Sequence, residues 1–243
     1  MIRIVGLEKS FKKLEVLKGV HFEIRPGTIT AIIGPNGSGK STIIKTILGL
    51  VKPDKGELFV KEEKLNGGST YKKNIGYMPQ SARFPENLKL DELIGMVKDL
   101  RRNSADCDEE LFTHFELEKE YQKPVRTLSG GTRQKVNAYI AFMFNPDILI
   151  LDEPTAGLDP ISSSFLKDKI MKEKGNGKTI ILTSHIMSEL EELSEKIVFL
   201  LDGKICFEGS AEELRINTGE DKLERSIAQI MKGHVSWTVQ QKY

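Results

Sequence analysis

The run Gly34-Pro35-Asn36-Gly37-Ser38-Gly39-Lys40-Ser41-Thr42 has the residue types and spacing of a phosphate cradle, G-x-x-x-x-G-K-[ST]. Glycines let the backbone curl so that successive N–H groups point inward at an anion. A helix starting at the loop adds about half a positive charge at its N-terminus. Lys40 can then reach the β- and γ-phosphates of a nucleotide, and the Ser41 hydroxyl can ligate Mg²⁺. A glycine-rich turn with a stray lysine would use the same residues. However, the apolar strand pattern before the loop and the helical pattern after it supply the context that phosphate binding requires.

Two further segments extend the chemistry. Ile148-Leu149-Ile150-Leu151-Asp152-Glu153 is an apolar strand ending in two carboxylates. Four buried residues place Asp152 at the C-terminal edge of a sheet, where ligands collect in open α/β folds. There Asp152 can hold Mg²⁺, while Glu153 can orient and polarise an attacking water. Leu128-Ser129-Gly130-Gly131-Thr132 heads a helix whose apolar face reads as Val136, Ile140, Met143 and Phe144. Ser129 is a good N-cap, so the segment could be a well-capped helix and no more. The same helix start, with its unpaired N–H groups, can also face a γ-phosphate.

The elements that must hold these residues follow from the hydrophobic pattern. Ile2, Ile4 and 16–24 read as edge strands, and 28–33 as a buried strand that breaks into the glycine loop. A helix over 40–50 follows, stopped by Pro53. Short strands at 56–60 and 75–78 flank a polar loop over 66–71. From 91 to 144 the spacing turns helical, as an insertion. Strands at 147–151, 179–183 and 196–201, with a helix over 162–174, argue for a parallel sheet with crossover helices. Residues 211–231 read as a polar helical tail.

Bulk properties narrow the function classes. The 243 residues are 39% hydrophobic and 29% charged, which suits a globular chain with a sizeable core. Thirty-six basic residues against 35 acidic give a net charge of +1, with no basic face to suggest nucleic acid as a partner. Apolar runs such as 148–151 and 197–201 are strand-length, far below the roughly 18–20 residues needed to cross a bilayer. The opening Met1-Ile2-Arg3-Ile4 reads as strand alternation, not as a leader. Cys107 and Cys206 lack C-x-x-C spacing, which suggests reduced thiols in the cytoplasm. With His234 they are too scattered for a copper site.

Taken together, the 34–42 loop, Gln80, Leu128 to Thr132, Asp152-Glu153, Gly157-Leu158-Asp159 and His185 resemble the ATP-binding subunit of ABC transporters over about residues 1–215. The resemblance implies a fold and a domain plan. The fold is α/β, a P-loop NTPase core with a parallel sheet, an N-terminal antiparallel β subdomain and a helical subdomain insertion. The nucleotide-binding domain spans 1–218, with the helical subdomain at about 84–144, and 219–243 form a C-terminal helical tail. It also implies roles. Phe11 stacks on adenine, a contact worth roughly 1–3 kcal/mol. Gln80 touches Mg²⁺ and the attacking water and senses the membrane partner. Glu153 and His185 are catalytic, with His185 on the γ-phosphate, and Asp159 belongs to a loop that crosses a dimer interface. Thr132 departs from the pattern, which usually has Gln there, but leaves the Ser-Gly-Gly phosphate contacts intact.

The family works as a head-to-tail dimer, each ATP held between the phosphate loop of one copy and the Ser-Gly-Gly stretch of the other. One copy of each motif implies a homodimer, bound to the cytoplasmic face of the plasma membrane through integral permease subunits. The stretches 78–88 and 129–137 are similar to the ATPase of the Nos-type system for copper-site maturation of nitrous oxide reductase. That resemblance implies an ABC-2-type permease and a periplasmic accessory protein. Another ABC-2-type exporter, or a soluble scaffold ATPase of the iron–sulfur assembly type, fits the same motifs.

Overall fold

The computed structural model describes residues 1–65, 68, 70–101 and 107–233. Asn66, Gly67 and Ser69 of the expected polar loop, residues 102–106 of the helical stretch, His234 and the tail beyond 233 lie outside the described residues. The chain forms two compact units, one built from Met1–Lys72 with Thr179–Tyr243 and one from Lys73–Lys178.

In the first unit, β1 (Ile2–Phe11) pairs antiparallel with β2 (Leu14–Ile24). Period-two alternation buries Ile2, Ile4 and Leu7 on one strand and Val20, Phe22 and Ile24 on the other. Each such side chain contributes roughly 1.5–3 kcal/mol when fully buried. After β3 (Ile29–Ile33) and α1 (Lys40–Ile47), β4 (Lys55–Val60) adds to the other side of β1, and the two-residue β5 (Glu63–Lys64) closes the sheet in the order β2-β1-β4-β5. This is the expected N-terminal antiparallel subdomain. α1 ends three residues earlier than the sequence pattern suggests. Gly49 stops it, not Pro53: its φ is 64° and its N–H returns to the Thr46 carbonyl at 2.9 Å.

The second unit holds β6 (Ile75–Met78), α2 (Leu90–Arg101), α3 (Glu110–His114), α4 (Gly130–Phe142), β7 (Ile148–Asp152) and α5 (Pro160–Gly175). β6 and β7 run parallel. Among the described residues the expected helical stretch thus holds α2, α3 and α4, with short 3₁₀ turns at Leu117–Glu120 and Val125–Thr127 between α3 and α4. α4 is not the one-faced helix its spacing suggested. Gln134, Val136, Asn137, Ala138, Tyr139, Ala141 and Phe142 are all buried, while Ile140 and Phe144 are only half-buried. Its close seat on β6 depends on Gly76, where a Cβ would stand 2.0 Å from the Ala141 carbonyl oxygen. α5 starts two residues before the expected 162, because Asp159 caps it and Pro160 occupies the first turn, where a missing N–H costs nothing.

The chain then returns to the first unit with β8 (Thr179–Thr183), α6 (Met187–Leu193), β9 (Lys196–Leu201), β10 (Lys204–Gly209), α7 (Ala211–Thr218) and α8 (Leu223–Met231). β3 lies between β8 and β9, parallel to both, and all five residues of β3 and of β8 are buried. Such runs, apolar but for Thr30, Thr179 and Thr183, suit a strand covered on both faces. α6 and β10 have no counterpart in the sequence reading. β10 forms a hairpin with β9 across Asp202-Gly203, whose φ angles of 49° and 78° suit a two-residue turn. The tail segment is two helices, broken at Gly219 with φ 69°. Among the described residues, no helix is long and apolar enough to cross a membrane.

Candidate functional site

β3 delivers the chain directly into the phosphate loop. Gly34 has φ 151°, and a Cβ there would lie 2.0 Å from the Leu200 carbonyl oxygen, so only glycine fits. Gly39, φ 111°, serves as N-cap of α1 and makes no side-chain cap hydrogen bond. The first-turn N–H groups of α1 are therefore not claimed by a capping side chain. Lys40 folds back over the loop, its Nζ donating to the Gly34 carbonyl at 2.7 Å and the Pro35 carbonyl at 3.1 Å. Ser38 is buried and its hydroxyl has no hydrogen-bond partner. A buried unpaired hydroxyl is costly and calls for a missing polar ligand. An anion seated on the loop would be such a ligand.

His185 follows β8 in the same unit. Its ring is exposed, but its turn is pinned: the Ser184 hydroxyl donates to Glu189 Oε2 at 2.9 Å and accepts from the Ile186 N–H at 3.0 Å. Phe11 ends β1 opposite Leu14, is 47% exposed, and has the Lys9 ammonium 5.4 Å from its ring centre. An exposed aromatic beside a cation offers a stacking face and not a core contact.

The second unit brings together Gln80, Ser129 to Gly131, Asp152 and Glu153 with Asp159. Asp152 ends β7 half-buried, and Glu153 follows with φ 51°. A left-handed non-glycine backbone costs of the order of 1–3 kcal/mol and persists only where the surroundings enforce it. Here the Glu153 carbonyl accepts from the Ala156 N–H at 3.2 Å and from Gln134 Nε2 at 3.3 Å. Ser129 caps α4, accepting from the Thr132 N–H at 3.0 Å, and its hydroxyl lies 2.8 Å from that of Thr132. Asp159 caps α5 through the Ser162 N–H at 2.9 Å and pairs with Lys135 at 2.9 Å. The Ser162 N–H and then Lys135 hold its carboxyl well below the usual aspartate range. For Mg²⁺, each unit carries residues whose oxygen chemistry suits a hard cation: the exposed Ser41 in the first, and the exposed Gln80 and half-buried Asp152 in the second.

Sequence reasoning missed Gln134, Asn137, Ser184 and Glu189. The two amides of α4 gave no readable signal of burial, since polar residues set between its apolar positions read as solvent-facing.

A family model described as ABC transporter matches residues 17–156. The chain belongs to the ABC transporter family. A daunorubicin resistance ATP-binding protein from Streptomyces coeruleorubidus is 32% identical to this ABC subunit over 229 residues, covering 92% of the chain and 72% of the relative. Among solved structures, an ATP-binding subunit of an ABC transporter superposes with a TM-score of 0.88 at 28% identity, covering 95% of this chain and 99% of that one. A second ATP-binding cassette, solved as a dimer in a post-hydrolysis state with ADP and Pi, gives a TM-score of 0.77 at 27% identity, covering 86% and 98%. The protein is therefore the ATP-binding subunit of an ABC transporter and an ATPase, and its fold is that of ABC cassettes.

Proposed function

We propose that two copies of this cassette close head-to-tail around two ATP molecules. The observation that carries the reading is the start of α1, where an uncapped helix, a curled glycine loop and an unpartnered Ser38 hydroxyl await an anion. Residues Gly34 to Thr42 of one copy hold the phosphates, with Lys40 leaving its loop carbonyls for the β- and γ-phosphates. Ser129, Gly130 and Gly131 of the other copy close on the γ-phosphate through the N-terminus of α4. The cassette solved as a dimer with ADP and Pi supports this assembly, and Asp159 would lie in the loop that crosses it.

Within each site Phe11 stacks on the adenine. Ser41, Gln80 and Asp152 are the ligands suited to Mg²⁺, which would neutralise charge between the β- and γ-phosphates. Glu153 orients and polarises the water that attacks the γ-phosphorus, the bond to the β-phosphate oxygen breaks, and ADP and phosphate leave. His185 holds the γ-phosphate in line. Residues 1–218 form the working domain in this reading, with the helical subdomain at about 84–144 gripping a membrane subunit and 219–243 as an appended tail.

The partner is an integral permease, which puts this subunit at the cytoplasmic face of the plasma membrane as a peripheral protein. The drug-resistance relative supports a place among ABC-2-type exporters. The stretches 78–88 and 129–137 favour the Nos-type, copper-maturation branch, whose complex adds a periplasmic accessory protein. Detergent co-purification of the native complex identifies the permease, and a permease from another exporter group removes the Nos-type assignment.

Glu153→Gln tests the catalytic reading. It should bind ATP as the parent does, lose turnover by roughly two orders of magnitude or more, and accumulate as ATP-bound dimers in size-exclusion chromatography. A folded variant that stays monomeric with ATP sinks the sandwich.

A further inference from the structure

Two buried amides on α4 join the three candidate segments of the second unit. Asn137 is 3% exposed and Gln134 is 7% exposed. Asn137 Nδ2 donates to the Pro79 carbonyl at 2.7 Å, one residue before Gln80, and lies 3.3 Å from Gln134 Oε1. Gln134 Nε2 in turn lies 3.3 Å from the carbonyl oxygens of both Glu153 and Pro154. The helix that carries them begins at the Ser129 cap.

Helix propensity does not explain Asn137, and burial does not explain either residue. Asn is among the weaker helix formers, and a buried amide is unfavourable unless its hydrogen bonds are made. An all-apolar face would pack α4 as well. What the pair adds is directional: donors aimed at three backbone carbonyls, those of the strained Glu153 and of Pro154 and that of Pro79 beside Gln80. Buried amides that are fully engaged lock a single geometry. A general base needs that, since small misplacements of a reacting group are expensive in rate.

We propose that Gln134 and Asn137 are positioning residues that fix the Glu153 backbone and the Gln80 segment to the helix bearing Ser129. A shift at any one of the three is then carried to the other two. The inference rests on the roles given above to Glu153 and Gln80.

The test compares the full-length Asn137→Leu, Gln134→Met and double variants with the parent, measuring ATPase turnover and affinity for a fluorescent ATP analogue. Turnover should fall about tenfold to a hundredfold, while affinity, set by the 34–42 loop, stays within about twofold. The double variant should lose no more than the worse single one, since the two amides act as one unit. Asn137→Ser, which keeps a donor, should recover part of the loss. Where Asn137→Leu does not fold, Gln134→Met and Asn137→Ser carry the same measurements. Turnover within about twofold of the parent, losses that multiply in the double variant, or turnover and affinity falling together each overturn the proposal. Glu153→Gln is run alongside. If it retains full turnover, the assignment of Glu153 fails; if it abolishes turnover while the amide variants do not, only the positioning role fails.

Discussion

α1, α4 and α5 begin beside candidate nucleotide-binding or interface residues, and they treat their first-turn N–H groups differently. α1 starts at a glycine with no side-chain cap, whereas α4 and α5 are capped by Ser129 and Asp159. An Ser or Asp cap stabilises a helix start by about 1 kcal/mol, but it engages a donor that an anion would otherwise use. α1 leaves that stabilisation aside, and no side chain at its N-cap competes with an anion for its first turn. α4 is intermediate: its third N–H goes to Ser129, and its first two positions are Gly130 and Gly131, which present backbone without side chains. The difference teaches that the phosphate loop is built from backbone, while the second unit is built from side chains that hold backbone in place.

That contrast can be broken by substitution. Gly34→Ala should have the largest effect, because its Cβ collides with the Leu200 carbonyl. We expect nucleotide binding to vanish and stability to drop by about 4 kcal/mol, and a variant that titrates ATP like the parent would show that the loop tolerates side chains. Lys40→Ala should weaken ATP binding about a hundredfold by removing a charged donor, measured by equilibrium titration; an unchanged constant removes Lys40 from its role. Ser129→Ala should lower stability by about 1 kcal/mol through loss of the cap, visible in chemical denaturation. A larger loss of turnover than of stability would mark the hydroxyl as a phosphate contact too.

The smallest effect sharpens the α5 end of the comparison. The folded-state Asp159 carboxyl lies below its ordinary value of 3.8, held first by the Ser162 N–H and then by Lys135. Its contribution is present above that ordinary value and is lost as pH falls through the folded-state value. The melting-temperature gap between parent and Asp159→Ala should thus be level from neutral pH down to mild acid and close only in strong acid. A gap that closes near neutrality would show that the carboxylate is not held as described.

Much of this was legible in the residues. The phosphate loop, the 148–153 strand and the Ser129 cap each pair a local pattern with its element. β8 and β9 fall where the apolar runs place them, because strands covered on both faces leave an unbroken signal. α6 and β10 were not legible. α6 is one short helix of Met, Ser, Leu and Glu without a strong period, and β10 is half-buried along most of its length. The all-round burial of α4 was hidden too, since Asn137 and Gln134 read as solvent-facing until their carbonyl partners are known. Helix ends set by Gly49 and Asp159 depend on backbone geometry that side-chain spacing does not encode.

Gly76 has a consequence for mutational data. Because the carbonyl of Ala141 occupies the space a side chain would need, a deep mutational scan should return this strand position as intolerant as Lys40. Ranked by tolerance alone, Gly76 would be listed with the nucleotide contacts, although it lies on β6 against a helix backbone. Pairing each fitness score with an ATP-binding measurement separates the two classes: Lys40 variants would persist as folded, ligand-blind protein, while Gly76 variants would disappear from the soluble pool.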